Sequence, residues 1–73
     1  MNEYRVGSEE FERMANECDR NIARAGTQAS RDKYARLGRM FRARSRKASK
    51  SPFGFIYFKF PSHKIAREFG YSG

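Results

Sequence analysis

A chain of 73 residues makes one domain, and a domain of this size buries only about 60% of the surface its unfolded chain exposes, which argues against a sizeable catalytic cleft. The 16 Lys and Arg residues against 8 Asp and Glu give a net charge of +8, which directs attention to an anionic partner. The single cysteine, Cys18, excludes a disulfide framework and fits a reducing cytoplasm; no apolar run approaches the roughly 20 residues that span a bilayer, and Met1 to Arg5 lack the apolar core of a signal peptide. A soluble cytoplasmic protein without a membrane partner is expected.

In chain order, Tyr4-Arg5-Val6 can form a short strand pairing with residues 54–60, an aromatic segment whose backbone groups would otherwise lack partners. A first helix is predicted over about 8–25, where Phe11, Met14, Ala15, Cys18, Ile22 and Ala25 recur on one face. Ser8 is the expected N-cap, Glu9 and Glu10 suit the positive end of the helix dipole, and Gly26 stands where a left-handed C-cap belongs. On the outer face, Glu9 and Glu17 each lie four residues from Arg13, so these charges can satisfy one another.

After a short link, Ser30 and Asp32 open a second helix, predicted over about 30–48, with the stripe Tyr34, Leu37, Gly38, Phe41, Ser45 and Ala48. The two helices should form an antiparallel hairpin, with Gly38 allowing close backbone approach. Ser49 to Pro52 end the helix, a strand follows over 53–60, and Ser62 can cap a short helix over about 62–69 containing Ile65, Ala66 and Phe69. The fold class is therefore α+β: a single small domain built as a helical hairpin with one or two short strands and a C-terminal helix.

Charge divides this chain unevenly. Residues 1–32 carry five basic and seven acidic side chains, whereas residues 33–73 carry eleven basic ones against Glu68 alone. On the second helix Arg36, Arg39, Arg42, Arg46, Lys47 and Lys50 share the polar arc. Like charges three or four apart each cost a few tenths of a kcal/mol, so the series Arg36–Arg39–Arg42–Arg46–Lys50 opposes folding unless something neutralises it. Phosphate suits this role, because the guanidinium fork meets it bidentately. Acidic residues of the first helix or of a second subunit could also serve, and an anionic lipid surface is a weaker candidate because the apolar stripe is narrow and committed to the core.

The strand sorts into two faces by its alternation. Gly54, Ile56, Phe58 and Phe60 belong to the core, and Phe53, Phe55, Tyr57 and Lys59 form the face nearer water. Rings exposed beside a basic helix are how sequence-tolerant base stacking is built. Phe53, Gly54, Phe55, Ile56 and Phe58 resemble the end of the Lys/Arg-Gly-Phe/Tyr-Gly/Ala-Phe-Val-x-Phe/Tyr strand of the RNA recognition motif, and the short helix after it resembles that family's second helix. The resemblance implies base stacking by Phe53 and Phe55. It is confined to residues 53–69: Ser51 and Pro52 replace the family's basic residue and glycine, and residues 31–48 read as helix where its second strand would lie.

Catalysis has little to draw on. His63 is the only histidine, and a metal-independent ribonuclease using His63, Tyr57 and an arginine is the weak enzymatic alternative to a non-enzymatic chain. One cysteine and one histidine do not make a zinc site, no glycine-rich phosphate loop is present, and no cofactor is expected. The favoured reading is a nucleic-acid-binding protein for RNA or single strands, with Arg36, Arg39, Arg42, Arg46, Lys47 and Lys50 on phosphates and Phe53, Phe55, Tyr57 and Lys59 on the stacking face. The alternative is a compact inhibitor or adaptor that docks the same side chains on an acidic protein surface, and strand 53–60 could in addition pair two copies into a homodimer.

Overall fold

The computed structural model describes residues 3–71, and its architecture is the expected α+β hairpin with a small sheet. The elements are β1 (Glu3–Gly7), α1 (Ser8–Arg24), α2 (Gln28–Lys50), β2 (Phe55–Lys59) and α3 (His63–Glu68). Among the described residues no helix is long and apolar enough to cross a membrane.

The stripe predicted for α1 is the buried one, with Phe11, Met14, Ala15 and Cys18 in the core. Its N-cap is Gly7, not Ser8, because β1 runs directly into the helix: the Gly7 N–H donates to Oε1 of Glu10 at 2.6 Å, the return half of a capping box. Ala25 ends the helix in extended geometry, and Gly26 does not adopt the left-handed conformation expected of it. The ion pair on the outer face runs from Glu17 to Arg20 at 2.7 Å and bypasses Arg13.

Helix α2 begins two residues before the expected start, because Thr27 is its cap and accepts the Ser30 N–H at 3.1 Å. It also runs past 48 to Lys50, since Lys47 and Lys50 lie in the last turn, where the helix dipole favours cations. Pro52 then forces Ser51 out of helical geometry and stops it.

Against α1, the buried face of α2 presents Leu37, Gly38, Phe41, Ser45 and Ala48. A Cβ added at Gly38 would lie 3.5 Å from that of Cys18, an ordinary contact, so the approach of the two helices does not demand glycine there. Ser45 is more than a gap in the apolar stripe: its buried hydroxyl donates to the Ser8 carbonyl at 3.1 Å and ties α2 to the start of α1.

The strand is shorter than predicted. Phe53 and Gly54 belong to a turn closed by the Gly54 N–H on the Ser51 carbonyl at 3.1 Å, and Gly54 has φ of +76°, which a side chain would strain. β1 pairs antiparallel with β2, matching Glu3 with Lys59, Tyr4 with Phe58, Arg5 with Tyr57, Val6 with Ile56 and Gly7 with Phe55. A second copy is thus not needed to give β2 a ladder.

The alternation holds at Phe58 and Phe60, 5% and 6% exposed, and at Tyr57, 66% exposed, but Ile56 is only partly buried, like Phe55 on the other face, and Gly54, expected in the core, is exposed in the turn. Phe41 is the hub of the core, with its ring centroid 5.2–6.4 Å from those of Phe11, Phe58, Phe60 and Phe69. Ser62 caps α3 by accepting the Ile65 N–H at 3.2 Å. At its other end Gly70, with φ of +89°, makes a Schellman turn: Tyr71 N–H reaches the Ala66 carbonyl at 2.8 Å and Gly70 N–H the Arg67 carbonyl at 3.1 Å. That turn sets the Tyr71 ring on Tyr4 and Phe60, at 5.1 and 5.0 Å between centroids, closing the sheet end of the core.

Candidate nucleic-acid interface

Two surfaces carry the predicted site residues. The first is the outer arc of α2, where Arg36, Arg39, Arg46, Lys47 and Lys50 are exposed and none makes an ion pair with another described residue. From Arg36 to Lys50 the arc runs about 21 Å along the helix at ~1.5 Å per residue. Helix α1 answers none of these five: Glu10 is engaged at the Gly7 N–H, Glu17 at Arg20 and Asp19 at Arg42, and neither Glu9 nor Glu12 makes an ion pair with a described residue.

Arg42 is the exception among the predicted arginines. Its guanidinium donates to Oδ2 of Asp19 at 2.7 Å, which holds the Asp19 carboxyl below the usual aspartate range and raises the guanidinium further. It lies on the flank of α2 nearest α1, so neutralisation by acidic residues of the first helix holds for this one residue.

The second surface is the outward face of the sheet. Phe53 is 75% exposed and Tyr57 66%, with the half-buried Phe55 between them and Lys59 exposed at the end of the row. Ring centroids step evenly, 5.9 Å from Phe53 to Phe55 and 5.9 Å from Phe55 to Tyr57. The register sets Arg5 opposite Tyr57 on this same face, and its guanidinium lies 5.6 Å from the Phe55 centroid.

Arg5 was not among the predicted site residues, because it sits in the acidic half of the sequence. Period-2 alternation applied to Tyr4-Arg5-Val6 would have found it, since Val6 is fully buried and Arg5 must then point outward. Arg44 was also missed. It lies between the arc and the sheet, with its guanidinium 5.9 Å from the Phe58 ring, and covers the core as much as it presents charge.

The two surfaces do not merge into one, contrary to the expectation of rings standing beside the arginine helix. Phe41 is the α2 residue that meets Phe58, and Arg39 and Lys50 project about 160° and 180° round the helix from it. Tyr57 projects from the side of β2 opposite Phe58. The cations and rings therefore face away from each other across the domain, whose extents are 40 × 24 × 14 Å, and they approach only at the Ser51–Gly54 turn.

Other hollows offer less. An open pocket of about 440 Å³ between α1 and the C-terminal turn is lined by Glu10, Glu17, Glu68 and Tyr71, but Glu68 is held by Tyr34 and by Lys33 at 3.5 Å, and Glu10 and Glu17 are engaged as above. Among the described residues no group of three His, Cys, Asp or Glu could hold a metal ion. His63 opens α3 and is exposed, and Tyr57 stands on the outward sheet face.

Compared with known protein families, curated proteins and solved structures, the chain matches none. The likeness of residues 53–69 to the RNA recognition motif is therefore one of local pattern, on a sheet of two strands with α2 where that family has a strand.

Proposed function

We propose that this protein binds nucleic acid, with RNA or single strands as the favoured ligand, and that the outer arc of α2 is its phosphate-binding surface. The observation that carries the reading is the set of exposed cations, Arg36, Arg39, Arg46, Lys47 and Lys50, left without acidic partners among the described residues. Each adjacent like-charged pair works against the helix; phosphates along the arc relieve that repulsion, and each one neutralised also releases counterions condensed on the nucleic acid. The exposed rings support a preference for unpaired nucleotides, because paired bases keep their faces inside the stack.

A second reading, docking on an acidic protein, is supported by the two-stranded sheet, which leaves each strand one edge without a ladder partner among the described residues. Titrating the purified chain with labelled single-stranded RNA at low salt separates the two. Saturable binding that weakens as salt rises is the expected result; absence of binding at low salt, with partners retained from a nuclease-treated lysate, moves the assignment to protein docking.

A further inference from the structure

The outward sheet face and the α2 arc lie on opposite sides of the domain, and that separation has a consequence for what the protein can hold. We propose that the sheet face is a second, independent nucleic-acid surface that takes unpaired bases, so that one chain bridges two nucleic-acid segments. The bridging rests on the reading of the α2 arc as a phosphate surface.

The geometry favours separate occupants in three ways. Rings in the row Phe53, Phe55, Tyr57 stand 5.9 Å apart, wider than the ~3.4 Å of stacked bases, so they suit an extended strand with its bases splayed. A duplex cannot use them, since its base faces are closed, but it can lie on the arc, where only phosphates are read. Away from the Ser51–Gly54 turn, where Phe53 follows Lys50 by three residues, the arc and the ring row also occupy opposite faces, so two ligands need not overlap.

A nucleic acid suits the sheet face better than a second copy does. Arg5 lies over Phe55 in the middle of the row while Lys59 stands at its end opposite Glu3, so the charge set among the rings is the Arg5 cation, to which a polyanion is complementary. Two copies meeting face to face would bring together chains of net charge +8.

The test uses the intact chain, an acceptor-labelled hexauridylate and a donor-labelled short RNA duplex. Energy transfer that appears only when protein is added is the expected result, with one hexauridylate per chain retained when the duplex saturates the arc. Phe53→Ala with Tyr57→Ala, both at exposed positions, should weaken hexauridylate binding at least tenfold and remove the transfer signal. Complete displacement of hexauridylate by the duplex overturns the proposal, because the two then share one surface, and the phosphate reading of α2 survives. Hexauridylate binding that is indifferent to the double substitution also overturns it, and a concentration-dependent dimer lost in the same variant would then assign the face to a second copy. Failure of both ligands to bind refutes the underlying phosphate reading as well.

Discussion

The Arg5 guanidinium lies 5.6 Å from the centroid of the Phe55 ring, so the first strand of the chain places a cation in the middle of the aromatic face formed near its end. A contact of this kind at an exposed site is worth about 0.5–1 kcal/mol. Arg5→Gln should therefore lower the thermal midpoint only slightly while weakening binding to single-stranded RNA, read by fluorescence anisotropy. A large loss of stability would make Arg5 a structural residue and not part of a binding face.

Truncation in the core and truncation on the outward face of β2 should have opposite consequences, with the hub of the core the least tolerant position. Phe41→Ala removes a fully buried ring that contacts four others, at a cost of about 3–5 kcal/mol against a total stability of order 5–15 kcal/mol. Tyr57→Ala, at an exposed position, should change stability by no more than about 0.5 kcal/mol. Urea denaturation followed by circular dichroism measures both, and equal losses would mean that the outward face is covered.

Much of this was legible in the sequence, and the residues show why. Helical periodicity located the stripes of α1 and α2 because Phe11, Cys18, Leu37 and Phe41 recur at spacings that only one helical face satisfies. Alternation sorted Phe58 from Tyr57 because strand side chains point to opposite sides. The caps were less legible: Gly7 has no side chain to announce itself, and Thr27 competed with Ser30 for the same role. Beyond the helical hairpin and the pairing of the two strands, tertiary placement was not legible. Nothing in the order of residues says that Phe41 sets the sheet against the side of α2 opposite Arg39, that Asp19 claims Arg42, or that Gly70 swings Tyr71 onto Tyr4.

Cys18 should be inert in the folded protein. Burial between the helices, helped by the Asp19 carboxylate, pushes its thiol up to about 11, so almost no thiolate exists near neutral pH. Reaction with a disulfide reagent should proceed only as fast as the chain opens, and become immediate in denaturant. Because the folded value lies above the ordinary 9.0, the thiol's contribution to stability is present below pH 9 and is lost as pH rises through about 11. Prompt labelling of the native protein at pH 7 would contradict the buried position.

The Asp19–Arg42 pair offers a test by addition. Hydrogen bonding to Arg42 depresses the Asp19 carboxyl, so what the pair contributes is present above the ordinary aspartate range and is lost as pH falls through the lower folded value. Asp19→Asn should remove that acid-side component from the pH dependence of the thermal midpoint. It should also free Arg42 for the arc and make RNA binding tighter and steeper in salt. Weaker binding in this variant would place Asp19, not phosphate, at the centre of the arginine cluster.

The central claim, that the α2 arc reads phosphate, is tested most directly by the salt dependence of binding. Each phosphate neutralised contributes a slope of about −0.9 on duplex or −0.7 on single strands in log K against log salt. Arg39→Gln, Arg46→Gln and Lys50→Gln are chosen because none of the three makes an ion pair with a described residue, so the fold, checked by circular dichroism, should be unaffected. Anisotropy titrations over a range of salt should show the slope of the triple variant shallower than wild type by roughly 2–3 units. Superimposable slopes for wild type and variant, with the helices intact, would show that α2 does not hold the phosphates.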